Sequence, residues 1–83
     1  MELWQAPITD SAHRHEIADE DIRHALRNVI GVADDPEDED VTLFLGPDLA
    51  VKLIEVGVLD TDDGPLIIHA MPARTRRFPP RKE

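Results

Sequence analysis

Glu55, His69 and Arg74 are side chains of the types that break a phosphodiester without a metal ion. A carboxylate beside an imidazole orients the ring and favours its protonated form. A guanidinium presents paired N–H donors to a phosphate. RNA brings its own nucleophile, the ribose 2′-hydroxyl. In such a constellation Glu55 or His69 takes the hydroxyl proton, His69 serves the leaving oxygen, and an arginine stabilises the charged phosphorane. The catalytic candidates are therefore His69, Glu55 and Arg74. The RNA-binding candidates are Arg74, Arg76 and Arg77, which open a basic run. Each also has a plainer role: His69 as a rim residue bonded to backbone or water, Glu55 as the cross-strand partner of a base, the arginines as a solubilising tail.

Bringing Glu55 and His69 together is the task of one hairpin. Residues 49–60 read as the longest strand, apolar on both faces and so central in a sheet. Thr61-Asp62-Asp63-Gly64 is a hairpin turn with Asp-Gly as its cue. Residues 65–71 form the last strand, and His69 is its polar position. If Gly57 pairs with Ile67, Glu55 lies directly opposite His69. A slip of one residue puts Val56 there and sends Glu55 to the other face. Both registers stay open.

The other elements follow from periodicity. Ile22, Ala25, Leu26 and Val29 form one apolar stripe, predicting a helix over 19–28. Asp19, Glu20 and Asp21 crowd its first turn, where the helix dipole favours negative charge. Thr9 or Asp10 caps a shorter helix over 11–16. Residues 1–8 carry Trp4 and suit an edge strand or flap that closes one end of the core. Residues 29–33 and 41–45 are two more strands, and Gly46-Pro47-Asp48 is a turn. Gly57 marks a bulge or a close approach by a helix. The expected fold is α+β: two N-terminal helices packed on one face of a four-stranded antiparallel β-meander. Residues 1–72 form the compact domain, and 73–83 form a disordered basic tail, with Pro79 and Pro80 inside a charge run.

Charge divides the 83-residue chain in the same place. Residues 1–72 hold four bases against seventeen acids, for −13, and residues 73–83 hold five bases against Glu83, for +4. An acidic body repels nucleic acid at long range, so any RNA contact belongs near the tail. Residues 34–40 hold six acids around Pro36, a solvated loop without EF-hand spacing. His13 and His15, two apart, do not face each other on a helix and make a weak metal pair. Neither a metal nor a small-molecule cofactor is expected. No apolar run approaches the roughly 20 residues of a membrane helix. No signal peptide is readable, and the chain has no cysteine, which together suit a cytoplasmic protein. The alternative to a ribonuclease is a non-catalytic interaction module that binds a basic partner through the acidic loop or a sheet edge.

Three segments carry a family resemblance. Ile17-Ala18-Asp19-Glu20-Asp21-Ile22-Arg23-His24-Ala25-Leu26-Arg27-Asn28 resembles the helix that follows a short helix in BrnT-like toxins. Leu53-Ile54-Glu55-Val56-Gly57-Val58 is similar to their central strand. Ile67-Ile68-His69-Ala70-Met71-Pro72-Ala73-Arg74 is similar to their last strand, which ends in a small residue and then arginine. In order and spacing these span about residues 8–78. Those toxins belong to the RelE/ParE-like superfamily of bacterial toxin–antitoxin systems. The resemblance implies a cytoplasmic ribonuclease that inhibits translation and a partner antitoxin. By position it implies functional roles for His69, Arg74 and Arg77. The chain departs from those toxins in its acidity and in having Pro79 and Pro80 where a terminal helix often follows.

Overall fold

The computed structural model describes residues 2–78. Helix α1 spans Asp19–Arg27, and four strands follow: β1 Gly31–Asp34, β2 Val41–Pro47, β3 Leu53–Thr61 and β4 Gly64–Pro72. They pair antiparallel in the order β1-β2-β3-β4, as a meander of short connections requires. The fold is α+β, with one α-helix rather than two. The segment expected to form the first helix makes only a 3-10 helix, Asp10–His13. Ala12 is its one buried residue, so it lacks the apolar stripe that would hold an α-helix to the sheet. Leu3–Gln5 is a second 3-10 helix rather than an edge strand, and it forms the expected flap, with Leu3 and Trp4 packed against the core.

The α1 face of the sheet carries the larger core. Ile22, Ala25 and Leu26 pack on Ile54, Val56, Val58, Ile67 and Ala70, with Ala6 and Ala12 completing the layer. Trp4 packs at its edge with the Arg27 guanidinium over the ring, 4.8 Å from the centroid. Arg23 holds this N-terminal segment down by donating to the Trp4 and Ala6 carbonyls at 2.7 and 3.0 Å. The helix comes closest at Gly46, where a Cβ would stand 2.3 Å from the Ala25 carbonyl oxygen. The close approach of the helix therefore falls at Gly46, and of the two meanings Gly57 could have, the bulge is the one observed, between Gly57 and Val58.

The opposite face has a smaller apolar cluster of Val41, Leu43, Leu45 and Phe78. Phe78 changes the expected domain boundary. Instead of leaving the sheet at Pro72, residues 73–78 fold back over this face, with a 3-10 helix at Thr75–Arg77 and Phe78 only 8% exposed. Burying an aromatic ring against Leu45 and Val41 outweighs the solvation of the neighbouring arginines. The remainder of the expected disordered tail, 79–83, lies outside the described residues.

Two further corrections concern the junction of β2 and β3. Strand β2 runs on to Pro47, and β3 begins at Leu53, four residues later than the pattern suggested. Between them Asp48 accepts from the Ala50 and Lys52 amides through Oδ1, both at 2.8 Å. That side chain builds a turn in which Val51 adopts φ 64, a left-handed conformation costly for a β-branched residue.

The helix–sheet contact at Gly46 gives a stability test. Gly46→Ala forces α1 off the sheet, an overpacking cost of about 2–3 kcal/mol, or a Tm loss on the order of 10–20 °C. Gly31→Ala serves as control, because its Cβ would meet Leu45 at an ordinary 3.4 Å. Thermal melts of the two variants should separate clearly.

Candidate functional site

One irregularity in β4 creates the site. From the turn to Val58, the hairpin follows the register that would put Val56 opposite His69: Thr61 pairs with Gly64, and Val58 with Ile67. Between Gly57 and Val58 the register shifts, so Gly57 pairs with His69 and Glu55 with Met71. Ile68 is the extra residue of this β-bulge. Strict alternation would have sent His69 to the α1 face. The bulge turns it onto the face that carries Glu55, and leaves Ala70 to fill the core. One anticipated register holds from the turn to Val58, and neither holds at Glu55 and His69. Glu55 and His69 are diagonal neighbours across the strand pair.

Gly57 makes the diagonal contact possible. A Cβ there would sit 2.9 Å from the His69 Cβ and 3.5 Å from its ring. Without that Cβ the imidazole lies over the glycine, and His69 Nε2 reaches Glu55 Oε2 at 3.0 Å.

Glu55 is the buried charged residue of the fold, at 0% exposure. Its other partner comes from the returning C-terminal segment. The Arg74 backbone N–H donates to Oε1 at 2.9 Å, and its side chain donates from Nε to Oε1 at 3.1 Å and from Nη2 to Oε2. Both carboxylate oxygens are thus occupied by a two-pronged guanidinium, a backbone amide and an imidazole. Burial pushes the Glu55 carboxyl up, but the Arg74 side-chain and backbone bonds and the His69 bond outweigh it, and the group ends below its ordinary value. Because Glu55 is ionised it can only accept, so His69 Nε2 carries the proton and Nδ1 holds the ring's lone pair in the neutral form.

His69 and Arg74 line a cleft of about 490 Å³ whose remaining polar lining is Ser11, Arg14, His15 and Asp35. The first three of these arrive on an N-terminal arm stitched along the outer edge of β4. Ile67 N–H donates to the Pro7 carbonyl at 2.8 Å, and Thr9 N–H to the Ile67 carbonyl at 2.9 Å. Ser11 Oγ then donates to the carbonyl of the bulged Ile68 at 2.8 Å. The His15 and His69 rings stand edge to face, with centroids 6.3 Å apart and planes at 82°. Asp35 enters from the β1–β2 loop. It and Glu37 add to the field that, after Glu55, holds the Arg74 guanidinium above its ordinary value against the effect of burial.

The structure therefore unites Glu55, His69 and Arg74. Arg76 and Arg77 lie beyond the cleft, Arg76 exposed and Arg77 half-buried. Arg14 and His15 were not anticipated. The two histidines flanking Arg14 read only as a weak metal pair. In the fold they separate: His13 bonds Asp19 at 2.5 Å, while His15 turns to the cleft. Among the described residues no three His, Asp or Glu side chains converge as a metal site. His24 is structural, its Nδ1 donating to the Pro47 carbonyl at 2.9 Å. Among protein-family models, curated proteins and solved structures, none matches this chain.

The lowered pKa of Glu55 predicts a pH signature. Its contribution is fully present above the unfolded glutamate value of about 4.3 and is lost as pH falls through the lower folded value. Glu55→Gln removes it. The variant should be less stable by about 2–4 kcal/mol at pH 7, because Arg74 and His69 lose a charged acceptor but still reach solvent. Denaturant titrations from pH 7 to pH 2 should show the difference closing below about pH 4. A difference that stays constant over this range would mean that Glu55 is not ionised in the fold.

Proposed function

We propose that the cleft binds RNA and cleaves it by acid–base chemistry of its own side chains, as the toxin-like ribonuclease of a bacterial toxin–antitoxin pair. The observation that carries this reading is the Arg74–Glu55–His69 unit, in which one buried carboxylate aims an imidazole and a guanidinium into the same cleft. The resemblance to BrnT-like toxins supports it, as does the order of the three matching segments.

The geometry revises the division of labour. Glu55 has no oxygen to spare and no access to solvent, so it is a positioning residue rather than a base. With Nε2 held by Glu55, a protonated His69 can pass its Nδ1 proton to a leaving oxygen. Two of the five guanidinium N–H groups of Arg74 are committed to Glu55, and three remain for a phosphate. In the reaction the ribose 2′-oxygen loses its proton and attacks phosphorus. The bond to the 5′-oxygen breaks, and that oxygen is protonated. The products are a 2′,3′-cyclic phosphate and a 5′-hydroxyl.

RNA oligonucleotides incubated with the purified chain test this reading. Cleavage to cyclic-phosphate ends is expected, and His69→Ala should lower the rate by about 10²–10⁴-fold while leaving the protein folded. Expression of the active chain should arrest growth, and expression of the variant should not. A soluble, folded chain that neither cuts RNA nor arrests growth would sink the proposal.

A second reading, a module that grips a basic protein, is favoured by the opposite charge at one end of the sheet. The six acids of residues 34–40 adjoin the Asp60 and Asp62-Asp63 hairpin, with Asp60 N–H donating to the Asp40 carbonyl at 2.9 Å. On this reading a basic partner binds with strong salt dependence. Replacing Asp38, Glu39 and Asp40 by their amides should weaken that binding at least tenfold by calorimetry. Binding unchanged by the replacement would remove the acidic end from consideration.

A further inference from the structure

The cleavage reaction needs two proton transfers, and Glu55 cannot perform either. We infer that His15 is the second catalytic residue, the base that takes the 2′-hydroxyl proton while His69 supplies the acid. This inference rests on the ribonuclease reading and names the missing group within it.

The groups facing the cleft from every adjoining element are few. The N-terminal arm brings Arg14 and His15, the β1–β2 loop brings Asp35, β4 brings His69, and the returning segment brings Arg74, with Glu55 beneath. Of these, Arg14 and Arg74 remain charged and cannot accept a proton. Asp35 accepts from the Glu37 amide through Oδ1 at 2.7 Å and lends its charge to the Arg74 guanidinium, so it serves the cationic side of the cleft. His15 is exposed, and among the described residues its ring makes no hydrogen bond. The neighbouring histidine, His13, is tied to Asp19.

The backbone holds His15 in place. The arm is fixed at Thr9 and Ser11 by bonds to the Ile67 and Ile68 carbonyls, at 3.0 and 2.8 Å from their side chains. Glu16, the next residue after His15, has φ 61, a left-handed turn that a glutamate adopts only at a cost. That turn lets the chain swing from the cleft into α1 directly after presenting the imidazole. With centroids 6.3 Å apart at the lining of one cleft, the two rings are close enough to serve the two bridging oxygens of a single phosphodiester bound there.

The step balances as follows. Neutral His15 takes the proton of the 2′-hydroxyl, and the 2′-oxygen forms a bond to phosphorus. Arg74 and Arg14 hold the non-bridging oxygens. The phosphorus–5′-oxygen bond breaks, and its electron pair takes the Nδ1 proton of His69. Solvent then restores both rings. A substrate without a 2′-hydroxyl cannot enter this sequence, so RNA is cut and DNA is not.

Rates measured against pH, with two substrates, test the assignment. On a dinucleotide the wild-type profile should be bell-shaped. His15→Ala should fall by about 10²–10⁴-fold and lose the limb on the acid side, while His69→Ala should lose the alkaline limb. On a uridine 3′-phosphodiester with a 4-nitrophenol leaving group, which departs without a proton, His69→Ala should recover most of its activity and His15→Ala should not. Since His15 is exposed, its variants keep the wild-type melting temperature. If His15→Ala retains the wild-type rate and profile while His69→Ala is inactive, the assignment of His15 is overturned and the ribonuclease reading stands. Recovery of His15→Ala by the activated substrate would likewise overturn its role as base. A wild-type chain inactive on both substrates would instead defeat the ribonuclease reading itself.

Discussion

A bare carboxylate inside a protein costs several kcal/mol, and most of the second sheet face is arranged around avoiding that cost at Glu55. The residue sits between Leu45 and Met71 in the paired rows of the sheet. No water-facing route compensates it, so the chain must supply donors. Arg74 supplies three and His69 one. Meeting that demand draws residues 73–78 back over the sheet, seats Phe78, and fixes two cationic or protonatable groups at the mouth of one cleft. A buried ion pair is weak evidence for stability. Here its larger effect is to give His69 and Arg74 one arrangement each.

Much of the fold was legible in the amino-acid sequence. The stripe of Ile22, Ala25 and Leu26 fixes α1 and its buried side, and the turn signals separate four strands in meander order. What periodicity could not deliver was the bulge at Ile68. Ile67, Ile68 and Ala70 are all apolar, so a one-residue shift in which of them face α1 leaves the hydrophobic pattern nearly unchanged. The side of the sheet occupied by His69 depends on that shift. The groups bonded at that shift are far away in sequence, Thr9 and Ser11, which donate to the Ile67 and Ile68 carbonyls. For the same reason Arg14 and His15 were invisible as site residues: their relevance comes from an arm packed on the bulge rather than from any spacing near His69. Glu55, His69 and Arg74 could be picked out because carboxylate, imidazole and guanidinium stand out against apolar strands.

The two ends of the sheet carry different charge, and the cleft lies across the boundary. Arg14 and Arg74 face Asp35 over the same hollow. An anionic ligand entering there meets attraction at short range and repulsion from the acidic body at long range, which slows encounter and makes it depend on ionic strength. A protein of this kind gains little from electrostatic steering. Whatever selectivity the cleft has must come from contacts made after arrival.

The distance along the chain between Glu55 and its neutralising partner has a consequence in time. Arg74 is synthesised nineteen residues after Glu55. The helix-side core, built from residues on α1 and β2 to β4, can condense before Arg74 docks. The other face cannot close over Glu55 until it does, since closure would strand a charge. Folding is therefore expected to be ordered, with one side of the sheet dry early and the other wet until late. The cleft is complete only at that last step, so a partly folded chain carries the scaffold without the Arg74–Glu55–His69 arrangement.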